Sequence, residues 1–373
     1  MDVDHAGRGL VGVSTMDPMP GRAGSLLVLL GHGVADPAGY EWFVDGFGGL
    51  TGFAQNPACF VREFGFGGCF GLGFPGIGFA PRNPFVMAMT QRFRDYGQFI
   101  KLRLSMLVVF SAVLGYLIAA GPDFSGSVMA WLALGGFLVT GASNGLNQII
   151  ERHTDALMHR TLGRPVPSGR MGLAEAWLLA LTLGLVGLGV LSWGTTQLSV
   201  AMGAVALLSY AFAYTPLKKI TPVAVFVGAF PGAMPVLIGY AAHQGHLNLE
   251  AGLLFLVQFF WQFPHFWSIA WVLHEDYQRA GFHLLPTRND PQTGTARIIL
   301  VYTCALIPLG LAPWWYGFQG GVGAMVCLVA SLGFVFAAWK LYRGADVGDA
   351  RKLMFASFVY LPVVQLAYWL DAV

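Results

Sequence analysis

From Phe99 onward the chain is a succession of apolar runs of about 20 residues, each long enough to cross a hydrocarbon core about 30 Å thick as a helix. Nine such runs fall near 99–120, 128–150, 173–194, 197–216, 222–243, 249–273, 296–317, 320–340 and 350–371. Only 11% of the residues are charged and 55% are hydrophobic, against about 25% charged in soluble domains. The expected fold is an all-α membrane protein, a bundle of about nine transmembrane helices.

Basic residues set the expected orientation, because Lys and Arg near span ends accumulate on the cytoplasmic side. Arg92, Arg94, Lys101 and Arg103 lie at the start of the first span, Arg152, Arg160, Arg164 and Arg170 follow the second, and Lys218 and Lys219 follow the fourth. Arg279, Arg288 and Arg297 follow the sixth, and Lys340, Arg343, Arg351 and Lys352 surround the last connection. The alternate loops at 121–127, 192–197, 241–250 and 316–321 carry neither Lys nor Arg. This places the N-terminus in the cytoplasm and the C-terminus outside, and nine is the number of spans that keeps every basic cluster on one side. Both wide acidic loops, 151–172 and 274–295, then face the cytoplasm together, where soluble diphosphates and Mg²⁺ are available. The expected location is the cell (inner, cytoplasmic) membrane, as a multi-pass protein with its active site toward the cytoplasm.

Residues 1–86 are of another kind, Gly- and Phe-rich with no clear helical or strand period. They are expected to be a low-complexity, disordered segment or the product of a start assigned too far upstream, with Met87 or Met89 as the natural beginning and 87–373 as the functional domain. No small-residue cleavage site after a basic stretch marks a signal peptide. A net charge of +2 with few basic residues excludes a nucleic-acid partner. Cys59, Cys69, Cys304 and Cys327 include no C-x-x-C pair, so neither a zinc site nor a disulfide framework is expected.

The second span ends on Asn147, Glu151 and Asp155. Residues four apart share one helix face, so the three form a column of oxygen-bearing side chains. Such a column suits Mg²⁺, which prefers carboxylate oxygens and completes its octahedron with water or substrate phosphate; the competing reading is a solvated polar helix end. Arg160 and Arg164 follow at once, and arginine's fork of donors matches phosphate oxygens. Retention of positive charge inside also places arginines here, and it suffices for Arg152 and Arg170.

The fourth span ends with Tyr210, Tyr214 and Lys218 at four-residue steps. Their rings could stabilise a carbocation while Lys218 holds a departing anion, or they could be an interfacial aromatic belt with a basic anchor. The sixth span carries Pro264 and His265, with Asp276 eleven residues beyond His265, about three helical turns, so that both could face one cavity. His265, an intramembrane ionisable residue and so a functional candidate, could contact a porphyrin, its iron or its carboxylates, or could hydrogen-bond a neighbouring helix. Asp276 would supply a second acidic wall, and Pro264 should weaken the helix and let a cavity form.

Taken in order, Asn147-x-x-x-Glu151-x-x-x-Asp155-x-x-Met158-x-Arg160-Thr161-x-x-Arg164-Pro165, Tyr214-Thr-Pro-Leu-Lys218 with Gly228-Ala-x-Pro231-Gly232-Ala-x-Pro235, Pro264-His265-Phe266 and Asp276-Tyr277-x-x-Ala280-Gly281 resemble the protoheme IX farnesyltransferase (heme O synthase) branch of the UbiA-type intramembrane prenyltransferases. The likeness covers about residues 90 to 373. It implies a nine-helix bundle whose cavity takes heme b and farnesyl diphosphate and yields heme O and diphosphate for heme-copper oxidases, with Mg²⁺ as cofactor. By motif it assigns Asn147, Glu151 and Asp155 to a first acidic site and Asp276 to a second, with Glu151, Asp155 and Asp276 as metal ligands. Arg160, Arg164 and Lys218 match diphosphate-binding positions. The family more often has Asp at the Glu151 position, so the longer arm makes Asp155 the firmer ligand.

The implied reaction is Mg²⁺-assisted departure of diphosphate, attack of a heme vinyl group on the farnesyl cation, then addition of water. Downstream partners would be a heme A synthase or oxidase assembly proteins, within the lipid bilayer. Competing readings are a prenyltransferase acting on a quinone precursor or a tetrapyrrole acid, a transporter or heme-handling protein, and an oxidase assembly factor. The Pro264-His265-Phe266 and Asp276-Tyr277 motifs argue against the first. Acids gathered at span ends beside arginines, rather than at the midplane, argue against a transporter.

Overall fold

Apolar segments of 19 to 30 residues become long helices here, as they must where the surroundings offer backbone amides no partner. The computed structural model describes residues 84–287 and 293–373, within one unit spanning 73–373. The helices are α1 (Pro84–Phe99), α2 (Leu102–Ala120), α3 (Gly126–Asp155), α4 (Leu173–Gly194), α5 (Gln197–Leu208), α6 (Ala224–Gln244), α7 (Leu249–Val272), α8 (His274–Arg279), α9 (Thr293–Trp315), α10 (Gly321–Gly344) and α11 (Val347–Leu370). Helix α5 continues through a π-helical turn, Ser209–Tyr214, and one α-helical turn, Thr215–Leu217.

Among the described residues nine of these helices are of spanning length, in agreement with the nine expected. Eight qualify on length and apolar composition alone; the ninth, α7, is 24 residues long but carries Gln258, Gln262 and His265. Its polar groups are spent inside the bundle. Gln258 donates to the Gly232 carbonyl (2.9 Å) and accepts from Ser111 (2.9 Å) and Gln365 (2.9 Å), tying α7 to α6, α2 and α11.

Helix–helix association within lipid depends on close packing and polar pairs rather than on the hydrophobic effect. At the α2–α6 crossing a Cβ on Gly239 would collide with the Ala112 carbonyl, and one on Gly115 with that of Val236, so the two backbones touch. Rings from α6, α7 and α9 form an aromatic seam: Phe226 on Phe259 (5.6 Å), Phe259 on Phe263 (5.3 Å) and Phe263 on Tyr302 (4.6 Å).

One expectation falls largely outside the described residues, and two are revised. The segment 1–86 lies outside the described residues except for Pro84, Phe85 and Val86, which begin α1 rather than ending an irregular tail. The first span starts at Leu102, not Phe99, because Lys101 adopts a left-handed conformation (φ 49°, ψ 59°) that turns the chain between α1 and α2. Helix α7 runs unbroken through Pro264 but stops at Val272, so no continuous helix carries both His265 and Asp276.

Candidate active site

Asn147, Glu151 and Asp155 occupy the last three turns of α3 as a column, and they are 1%, 3% and 1% exposed. That burial decides against a solvated helix end, since buried carboxylates persist only when partnered. Asn147 Nδ2 donates to Glu151 Oε2 (2.9 Å) and to Thr215 Oγ1 (3.2 Å). Lys218 Nζ meets Glu151 Oε1 at 2.6 Å, and Arg164 Nη1 donates to Asp155 Oδ2 at 2.7 Å. The loop after α3 is fixed to the same turn by Thr161 Oγ1, which donates to the Asp155 carbonyl (2.8 Å).

The π turn of α5 brings the second group of residues in. The Thr215 backbone N–H bonds to the Tyr210 carbonyl five residues back, where its Oγ1 also donates (2.8 Å), and Pro216 has no N–H to give, so the turn is wide. Tyr210 and Tyr214 keep their rings 5.3 Å apart, and Lys218 Nζ lies 4.8 Å above the Tyr214 ring. Space for that ring depends on Gly228, where a Cβ would stand 2.6 Å from it. Burial works against the Lys218 ammonium, yet the Glu151 carboxylate beside it holds its pKa above the ordinary lysine value.

Lys101 is a member of the site that sequence reasoning passed over as an inside-positive residue. Its Nζ donates to Asn147 Oδ1 (3.1 Å). Burial, then the Arg164 and Lys218 cations, lower its pKa to about 7, with Asp155 and Glu151 pulling the other way. The left-handed corner that aims it is held by α3: Gln148 Nε2 donates to the carbonyls of Gln98 (2.8 Å) and Phe99 (2.9 Å), and Asn144 Nδ2 to that of Ile100 (3.2 Å). Such strain persists where the surroundings over-determine it. The sequence signal was available in Asn144 and Gln148, polar residues in an apolar run.

The structure brings the two wide loops to one end of the bundle but does not put Asp276 beside Glu151 and Asp155. Its carboxylate accepts from the backbone amides of His159 (3.3 Å) and Arg160 (3.2 Å) and pairs with Arg279 (2.9 Å). Asp276 therefore latches the two loops together, because α8 begins a new helix after Leu273. Phe282 continues the second loop beneath Lys218 Nζ (5.4 Å), and the Arg160 side chain is exposed. His265 is joined to the site by rings: 5.6 Å to Phe266, which lies 6.3 Å from Tyr214.

Among the described residues no three His, Cys, Asp or Glu side chains are gathered as a ready metal cage. Mg²⁺ does not require one, since it is commonly held by one or two carboxylates together with substrate phosphates. Asp155 Oδ1 is buried with no hydrogen-bond partner among the described residues, an orphan of the kind a hard cation satisfies. Glu151 and Asp155 thus fit a Mg²⁺–diphosphate unit, with Lys218, Arg164 and Lys101 as cations close by.

The profile of the UbiA prenyltransferase family matches residues 108–360, from the first span to the last. The chain belongs to the UbiA prenyltransferase family. Within it, the chain is 41% identical over 285 residues, 76% of its length, to the whole of a Cytophaga hutchinsonii protein named protoheme IX farnesyltransferase. A Christiangramia forsetii protein of the same name is 44% identical over 283 residues, 74% of this chain and 93% of that one. Among solved structures, a digeranylgeranylglyceryl phosphate synthase superposes with a TM-score of 0.64 at 18% identity, covering 75% of this chain and 98% of that one. A UbiA homologue from Archaeoglobus fulgidus, bound to GPP and Mg²⁺, superposes with a TM-score of 0.60 at 14% identity, covering 74% and 99%. At such identities these two structures establish the shared fold.

Proposed function

We propose that this protein transfers the farnesyl group of farnesyl diphosphate to a vinyl group of heme b, giving heme O and diphosphate, at the cytoplasmic face of the cell membrane. The observation that carries the reading is the buried Asn147–Glu151–Asp155 column and its facing cations, in a chain 41% identical to the full length of a protein named for that activity.

Lys218, Arg164 and Lys101 would bind the diphosphate, and Arg160 would reach it from the exposed loop. Glu151 neutralises Lys218 and Asp155 neutralises Arg164, while Lys101 donates to Asn147. Asn147, donating to Glu151 and accepting from Lys101, keeps the two charges in register. Mg²⁺ on Glu151 and Asp155 would stabilise the negative charge developing on the leaving oxygens; its binding to the A. fulgidus homologue together with a prenyl diphosphate supports this assignment. Asp276 would join from the second loop by giving up the His159 and Arg160 amides.

Tyr214 turns a ring face to Lys218 Nζ (4.8 Å) with the Tyr210 ring next to it (5.3 Å), and the two rings would stabilise the allylic carbon as its bond to oxygen breaks. The terminal vinyl carbon of heme b then bonds to that carbon. Water adds to the vinyl carbon next to the porphyrin and loses a proton, leaving a hydroxyethylfarnesyl substituent. Holding water away until the carbon–carbon bond has formed falls to the apolar bundle. His265, linked to Tyr214 through Phe266, would bind the heme. Residues 87–373 would be sufficient for this activity, and the product would pass to a heme A synthase or to oxidase assembly proteins.

A choice of acceptors tests the reading. Membranes supplied with labelled farnesyl diphosphate, heme b and a hydroxybenzoate should direct the label to the heme fraction. Label in the aromatic acid would identify a quinone-precursor enzyme instead.

A further inference from the structure

His265 lies on α7 against α11, and its surroundings restrict it to one tautomer. Its Nδ1 is 2.8 Å from Ser357 Oγ. A serine hydroxyl has a single proton, and that of Ser357 is already donated to the Met354 carbonyl at 2.6 Å. The hydrogen between His265 and Ser357 therefore belongs to Nδ1, and Nε2 carries the lone pair. Ser357 is fully buried, so water does not compete for its oxygen. Trp261 stacks on the imidazole (4.4 Å, 17°) and its Nε1 donates to the Ser357 carbonyl (2.9 Å), while Phe358 packs edge-on at 5.2 Å. Ring plane and tautomer are thus both set, whereas Nε2 has no hydrogen-bond partner among the described residues and the side chain is only partly buried.

A bare Nε2 repels a carboxylate, so it does not suit a porphyrin propionate. It suits a metal, and histidine that ligates metal characteristically donates its other N–H to an oxygen that fixes its orientation and raises its basicity. We infer that Ser357 is a positioning residue, holding His265 as the Nδ1–H tautomer so that Nε2 becomes the axial ligand of the tetrapyrrole iron. The inference rests on the proposed function for the identity of the tetrapyrrole. The iron does no redox work in this role; the bond would anchor the macrocycle at a side chain that reaches Tyr214 through Phe266 (5.6 and 6.3 Å).

The test titrates heme b into purified full-length protein and records resonance Raman spectra of the ferrous complex, with farnesyl transfer assayed separately. Wild type should show an iron–imidazole stretching band, and His265→Ala should lose it. Ser357→Ala should bind heme about 10–100-fold more weakly with the band at lower frequency, and Ser357→Thr, which retains the hydroxyl, should restore both. Should Ser357→Ala not be recovered as folded protein, Ser357→Cys, with its weaker acceptor, should give an intermediate shift. A band that survives His265→Ala, or that is indifferent to every Ser357 variant, overturns the inference. Wild type that makes farnesylated heme with a band independent of His265 would sink the ligand and leave the function standing. A His265-dependent band without product would do the reverse.

Discussion

At the level of single residues, Asp155 and Lys101 carry the chemistry of the proposed site. Asp155 offers one oxygen to Arg164 and keeps the other buried and unpartnered, so its carboxylate is the firmest candidate for Mg²⁺. Asp155→Ala should lower farnesyl transfer by at least about 10²–10³-fold while the protein still inserts, as read by heme O yield against protein in the membrane; unimpaired turnover would remove the metal-site assignment. Lys101 adds a pH dependence. With a pKa near 7 in the free site, it is mostly an ammonium at pH 6 and mostly neutral at pH 8. A bound diphosphate favours the ammonium, so its affinity should fall as pH rises through 7, and binding at pH 8 should take up a proton at Lys101. The facing groups are Arg164, Lys218, Asp155, Glu151 and Asn147. Calorimetry in buffers of differing ionisation enthalpy should show less proton uptake for Lys101→Arg, whose guanidinium stays charged; equal uptake in both proteins would refute the assignment. The column itself was legible in the sequence from its four-residue spacing. Lys101 was not, because its role depends on a positive φ; Asn144 and Gln148 marked only that the apolar run makes polar contacts with a neighbour.

At the scale of elements, α3 outlasts its apolar stretch by a turn, and the site is built on that overhang. Helix α5 contributes through its π turn, which no propensity announces; Thr215 closes it with both its backbone N–H and its hydroxyl on the Tyr210 carbonyl. Thr215→Val, which removes the hydroxyl that donates to the Tyr210 carbonyl and accepts from Asn147, should lower kcat more than thermal stability, and an unchanged kcat would make that hydroxyl incidental. The α2–α6 crossing makes a complementary demand. Gly239→Ala should cost about 1–3 kcal/mol through overpacking, seen as a lower midpoint of thermal aggregation in detergent, and an unaltered midpoint would mean that the helices separate freely. The spans were readable from hydropathy, α7 among them despite its glutamines. Helix α1 escaped notice because its apolar side chains are too few to span, and Asp276 was placed on a continuation of α7 that the break at Leu273 does not allow.

Across the whole molecule, the loop after α3, the end of α5 and the loop after α7 converge at one end of the bundle, joined by Asp276 to residues 159 and 160 and by the Lys218 carbonyl to the His283 amide (3.4 Å). We propose, from the positive-inside pattern, that this end is cytoplasmic. A cysteine at Ser168 should react with an impermeant maleimide in inside-out vesicles and not in intact cells, whereas one at Ser127 should show the opposite; the converse result would invert the topology. The spans were thus readable from hydropathy alone, while the pairing of acids with cations required the folded bundle. We propose that farnesyl transfer to heme b depends on Asp155. The most direct measurement incubates purified wild-type and Asp155→Ala protein with heme b, farnesyl diphosphate and Mg²⁺, and analyses the extracted hemes by chromatography and mass. The account predicts a more hydrophobic heme, heavier than heme b by farnesyl plus hydroxyl, from wild type only. Heme b returned unchanged by wild type, or the same product from both proteins, would contradict it.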